Sequence, residues 1–172
     1  MSRLIAAIAV SVCLVAAGAC DDDDSPTTPG DNVQLIAGLS PFNEVPMVAN
    51  ADTSGSGLVT ITVHLTRNAS NVITAATADF NVSLTGFPAG TNINAAHIHP
   101  GVAGVNGSPA VDTGLTPGQL VLTNGAGNFS KNGVVVTPSV AQNLVTSPSS
   151  FYFNVHSGIS PAGAARGQLN FQ

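Results

Sequence analysis

Basic residues are almost missing: there are four lysines and arginines in 172 residues, against nine acidic ones, and only 8% of the chain is charged. Arg3, Arg67, Lys131 and Arg166 are scattered along the sequence, so they cannot build the phosphate-tracking stripe on which nucleic-acid binding depends. Cysteine is equally scarce. Cys13 and Cys20 are the only two, which leaves the rest of the chain without a disulfide framework and dependent on a packed core. No apolar run reaches the ~18 to 20 residues that span a bilayer. Catalytic and phosphate-binding patterns are missing too. Gly101, Gly104 and Gly107 have neither the Walker nor the dinucleotide spacing and no helix follows them. The stretch SGSG at 54–57 lacks the nucleophile-elbow pattern, and the carboxylates show no pairing suited to acid–base work. There is no internal repeat.

What is present begins with the N-terminus. MSRLIAAIAVSVCLVAAGAC carries one positive residue, an uncharged apolar run from Leu4 to Ala17, then small residues, the layout of an export signal. The end of this stretch resembles a bacterial lipobox, which implies lipidation of Cys20 after removal of residues 1–19. Ala17 stands where that motif usually has leucine. The alternative is ordinary secretion with cleavage after Ala19. Five of the nine acidic residues fall in DDDDSPTTPGD, residues 21–31. Like charge mixed with Pro, Thr and Gly resists compaction, so residues 20–32 are expected to be a solvated tether. The expected location is the cell envelope, held to the membrane through lipid alone, on the periplasmic or cell-surface side. Residues 33–172 suffice for one domain that buries ~70% of its unfolded surface.

That domain reads as all-β. In GLVTITVHLTR, residues Val59, Ile61, Val63 and Leu65 fall on one face, and in TADFNVSLTGF so do Ala78, Phe80, Val82 and Leu84, the period-2 pattern of half-buried strands. Further strands are expected at 33–39, 43–48, 119–123, 127–136, 149–156 and 165–171. One short helix is expected at 138–146, with Thr137 as N-cap and Pro138 at its first position. Short strands punctuated by turn residues predict an antiparallel, Greek-key-like β-sandwich. The last two strands should form a hairpin with Phe151, Phe153, Val155, Ala165, Gly167, Leu169 and Phe171 inward. His156 and Arg166 would then be neighbours on the opposite face.

Histidine is rare, four in all, yet His97 and His99 stand one residue apart in NAAHIHPG. On a strand their side chains point the same way, away from Ala96 and Ile98, and such a pair is half of a site for zinc, copper, nickel or iron. His156 is the best third ligand, Glu44 the best carboxylate, and Arg166 is expected to brace Glu44. His64, mid-strand among threonines, reads as solvent-exposed. The alternative for the trio is a hydrogen-bonding cluster that ties down the glycine-rich loop after Pro100.

The segments NEVPMV, AAHIHPGVAG and FYFNVHSGISPAGAARGQL resemble, in order and spacing, the CHRD domain first described in chordin and common in exported bacterial proteins. The resemblance covers residues 33–172. It implies a β-sandwich of immunoglobulin-like or superoxide-dismutase-like character and little about chemistry; the domain reads as a binding or structural module, and the exposed threonine-rich strand face offers a surface for an envelope protein or polysaccharide. A fainter similarity, to copper/zinc superoxide dismutase, rests on the His-x-His strand. No histidine lies between His99 and His156, so the bridging and zinc-binding histidines of that enzyme have no counterpart, and its cysteine pair is missing. The two readings carried forward are a non-enzymatic binding module and a protein or enzyme that holds zinc or copper on His97, His99 and His156.

Overall fold

The computed structural model describes residues 31–172; the expected export signal, Cys20 and nearly all of the acidic tether lie outside the described residues. Two antiparallel sheets face one another. The chain order is β1 (Asp31–Leu39), β2 (Ser56–Arg67), β3 (Ile73–Thr85), β4 (Asn92–Pro100), β5 (Val111–Asp112), β6 (Leu120–Val121), β7 (Gly127–Val136), α1 (Pro138–Thr146), β8 (Phe151–Ser157), β9 (Ala165–Gln168) and β10 (Asn170–Phe171). The first sheet runs β10-β1-β2-β3-β7 and the second β5-β4-β8-β9, with β6 also on β4. β3 pairs with β7 and β4 with β8 although other strands intervene in the chain, so the connections cross from one sheet to the other as a Greek-key-like sandwich requires.

The alternating apolar residues meet between the sheets. Val59, Ile61, Val63, Ala78, Phe80 and Val82 from the first face Ala96, Ile98, Phe153 and Val155 from the second, all of them buried. Phe80 and Phe153 bridge the layers with ring centroids 5.9 Å apart, each contributing about 1.5 to 3 kcal/mol by burial alone. Ala141 and Leu144 of α1 join the same core. Thr137 sits at the N-cap of that helix but its hydroxyl caps nothing; Pro138 at the first position removes the need for one donor.

Four expectations need correction. The first strand begins at Asp31, two residues earlier than expected, because Asp31 and Asn32 pair with Leu65 and His64. Residues 43–48 are not a strand. Pro41 opens a 3-10 turn, Pro41–Asn43, capped by the Ser40 hydroxyl, and prolines 41 and 46 both lack the N–H a ladder requires. The segment 119–123 shortens to the two residues of β6. Finally, 165–171 is two strands: the chain leaves the second sheet after Gln168, buries Leu169, and joins the first sheet as β10. Phe171, on that edge strand, is consequently 54% exposed rather than inward.

The two sheets meet backbone to backbone where β9 passes β1. A Cβ built on Gly167 would lie 2.1 Å from the carbonyl oxygen of Gly38, and Ser40 exchanges backbone hydrogen bonds with Arg166 next to it. Neither backbone can give without breaking these bonds. Gly167→Ala is therefore expected to destabilise the domain by about 2 to 3 kcal/mol, read from the midpoint of urea unfolding. A midpoint unchanged from the parent would show that this contact is soft.

Candidate metal centre

The outer face of the second sheet carries the polar residues that its strands turn away from the core. His97 and His99 come from β4, Tyr152, Asn154 and His156 from β8, and Arg166 from β9. The pairing of β4 with β8 sets His97 opposite Asn154 and His99 opposite Tyr152. This face is partly covered: His97 and His156 are half-buried and the residues around them more so. The segment from Ser40 to Gly55 and the loop after Pro100 close over it, and Glu44, His99, Asn154 and Arg166 are all buried.

The three histidines are brought together although His97 and His156 lie 59 positions apart. One ligand atom of each lies within 4.8 Å of those of the others. His99 places Nδ1 at 2.8 Å from the carbonyl of Gly107, and His156 places Nδ1 at 3.0 Å from the carbonyl of Pro161. A carbonyl only accepts, so both neutral rings carry their proton on Nδ1 and present a bare Nε2. In His99 that Nε2 is buried and has no hydrogen-bond partner among the described residues. Nε2 of His156 lies 3.1 Å from Nδ1 of His97, while Nε2 of His97 faces Asp112 Oδ1 at 3.7 Å. Burial holds the pKa of all three below the ordinary 6.5. At His97 the Asp112 carboxylate opposes this; at His99 and His156 the Gly107 and Pro161 carbonyls do. The trio is therefore uncharged at neutral pH, the state in which imidazole binds a metal.

The supporting groups form two networks. Asp52 is fully buried and its Oδ2 accepts from the hydroxyls of Ser157 at 2.5 Å and Ser160 at 2.7 Å. These bonds fix the turn whose Pro161 carbonyl holds His156. The second network surrounds Glu44, whose two oxygens accept from Asn154 Nδ2 at 3.0 and 3.2 Å. Gly163 lies directly against this pair. A Cβ there would meet Glu44 Oε2 at 2.5 Å, and its φ of +149° is one that only glycine adopts readily. Desolvation raises the Glu44 pKa to about 7, against the attraction of Arg166 and the Asn154 hydrogen bond.

Arg166 does not brace Glu44 as expected; no carboxylate among the described residues forms an ion pair with it. Its Nε donates to the Asn43 carbonyl and its Nη1 to Asn106 Oδ1 at 2.8 Å, so it ties both covering segments to the sheet. Its guanidinium carbon stands 4.5 Å from the centre of the Tyr152 ring, and the His99 ring stacks on Tyr152 at 4.8 Å with an interplanar angle of 3°. Nor is it a direct neighbour of His156: the hairpin register sets Arg166 opposite Asn154. His64, expected in solvent, lies on the first sheet and is half-buried. Its ring nitrogens contact Asn32 Oδ1 at 2.9 Å and Asp79 Oδ2 at 2.8 Å.

Sequence reasoning did not single out Asp112, Tyr152, Asn154 or Asp52. Tyr152 and Asn154 share the parity of His156 in FYFNVHS, which was signal enough. Asp112 and Asp52 reach the site from a two-residue strand and a 3-10 turn, and neither carries a periodic pattern.

The fold and this face together define a β-sandwich domain with one loop-covered histidine cluster. The sequence model of the CHRD domain matches residues 35–169, and the chain belongs to that family. Membership points to a binding or structural module. No curated protein and no solved structure matches the chain.

Proposed function

We propose that this protein is an exported, lipid-anchored CHRD module that binds one zinc or copper ion through His97, His99 and His156. The observation that carries the reading is the buried Nε2 of His99, a lone pair with no hydrogen-bond partner among the described residues, on a ring that clusters with His97 and His156. In a purely structural cluster a buried nitrogen of this kind is ordinarily paired with a donor. Two ligands about 2.05 Å from a tetrahedral ion stand about 3.3 Å apart. The 3.1 Å between His97 Nδ1 and His156 Nε2 is already close to this, and ligand atoms within 4.8 Å of one another have to close by roughly 1.5 Å or less. Three imidazoles suit zinc or copper and leave a fourth position for water or an outside ligand. The export signal, the lipobox-like Ala17-Gly18-Ala19-Cys20 and the acidic segment after it support an anchored position outside the cytoplasm.

The test is metal analysis and calorimetric titration of the tag-free chain with zinc and with copper. Stoichiometric binding is expected. Structural zinc sites bind with about 10 to 16 kcal/mol shared over four ligands, so His99→Ala or His156→Ala should weaken binding by roughly 100-fold or more. His64→Ala, on the other sheet, should leave it unchanged. Because burial holds all three pKa values below 6.5, the affinity should fall as the buffer becomes acidic, but at a lower pH than unburied imidazoles would give. A chain that takes up no metal, and whose melting temperature neither ion raises, would refute the reading and leave the hydrogen-bonded cluster as the role of these residues.

A further inference from the structure

We propose that Asp112 is the positioning residue of this centre. It favours the His97 tautomer with the proton on Nε2, so that the ion is held by Nδ1 of His97 together with Nε2 of His99 and Nε2 of His156. This rests on the metal-binding reading above and assigns a role to a residue outside the trio.

The reason lies in how each ring's second nitrogen is held. His99 and His156 have their protons fixed by backbone carbonyls. His97 has no carbonyl partner of that kind among the described residues. Its Nδ1 faces Nε2 of His156 at 3.1 Å, and that atom can only accept because the His156 proton is on Nδ1. With the proton of His97 on Nδ1, the two rings share a hydrogen bond and the lone pair of His156 is blocked. With the proton on Nε2, two lone pairs face one another across a gap suited to an ion. The choice between these tautomers is therefore the choice between a closed and an open site.

Asp112 biases that choice. It stands directly opposite His97 in the β4–β5 pairing, which places the two side chains on the same face as cross-strand neighbours. Its Oδ1 is 3.7 Å from His97 Nε2, and the same oxygen accepts from the Gly114 backbone N–H at 2.8 Å, so the carboxylate is held in place. A carboxylate repels a bare Nε2 and attracts Nε2–H. An ion on Nδ1 would make the Nε2–H a stronger donor and so strengthen its attraction to the carboxylate. This is the carboxylate–histidine–metal arrangement, in which removal of the outer group costs roughly 10- to 100-fold in affinity.

The experiment is a zinc competition titration of the full chain, Asp112→Ala and Asp112→Asn, combined with imidazole nitrogen NMR. Asp112 is 66% exposed at its side chain, so both variants are expected to fold, with unchanged circular dichroism. Asp112→Asn also keeps an oxygen for the Gly114 turn should the alanine disturb it. Asp112→Ala should bind zinc roughly 10- to 100-fold more weakly than the parent. In the zinc-bound parent His97 should show a metal-bound Nδ1 and a protonated Nε2. Unchanged affinity in both variants, or coordination of His97 through Nε2, would overturn the assignment of Asp112 while leaving the metal centre standing. A parent chain that binds no zinc removes the metal centre itself, a result distinct from either.

Discussion

Replacing Arg166 by alanine is expected to cost the domain about 3 to 5 kcal/mol, because a single side chain holds three parts of the molecule together. Arg166 is only 2% exposed. It donates from Nε to Asn43 and from Nη1 to Asn106, on different loops, and lies over the Tyr152 ring. Hydrogen bonds from a charged donor are worth about 1.5 to 3 kcal/mol each, and a desolvated cation–π contact about 2 kcal/mol. The desolvation of the guanidinium offsets part of that sum. The Ser40–Arg166 backbone bonds survive the substitution, so the strands should remain and the covering loops should loosen. A domain of this size has about 5 to 15 kcal/mol in total, so the variant should sit close to unfolding at physiological temperature. Urea denaturation measures the loss directly. A loss under about 1 kcal/mol would mean that the loops are held by their own contacts and that Arg166 is incidental to them. Arg166→Lys should recover only part of the stability, since an ammonium on a flexible stem cannot reach both acceptors in one plane.

The two sheets and the grouping of the histidines on one outer face were legible because both follow from strand parity. Val59, Ile61 and Val63 alternate with threonines, and Phe151, Phe153 and Val155 alternate with Tyr152, Asn154 and His156, so a correct strand assignment sorts every side chain to its face. Parity does not say what covers a face. The Ser40–Gly55 segment and the loop after Pro100 roof the outer side of the second sheet and bury Glu44 and Arg166. Those segments have no periodicity, and their placement depends on single long-range contacts such as Asn106 to Arg166 and Asn154 to Glu44, 60 and 110 positions apart. The same reason hid Asp112. The break at Leu169 was missed because the alternation from Ala165 to Phe171 is unbroken in sequence while the hydrogen-bonding partner changes from one sheet to the other.

Glu44→Gln is expected to make the protein more stable above neutral pH and to abolish one component of its pH dependence. Glu44 is 7% exposed, and burial raises its pKa from 4.5 to about 7. A carboxyl whose pKa is higher in the folded than in the unfolded state binds more protons when folded, so stability falls as pH rises between the two values. The penalty is absent below about pH 4.5, grows up to about pH 7 and is then constant. A shift of this size corresponds to about 3 kcal/mol. Glutamine keeps an oxygen for Asn154 Nδ2 and removes the charge, so the variant should lack the penalty. The histidines act with the opposite sign. Their pKa values are lowered by burial, so they contribute stability that is lost as pH falls below 6.5. The parent alone would show the two trends partly cancelling. The difference between Glu44→Gln and the parent isolates the carboxyl, since both chains keep the trio. Denaturation of the pair at pH 4.5, 6 and 8 should give a difference that moves in favour of glutamine by about 3 kcal/mol from the first pH to the last. A difference that stays constant, or moves in favour of the parent as pH rises, would show that Arg166 and Asn154 compensate the buried charge fully and that Glu44 is ionised throughout the range.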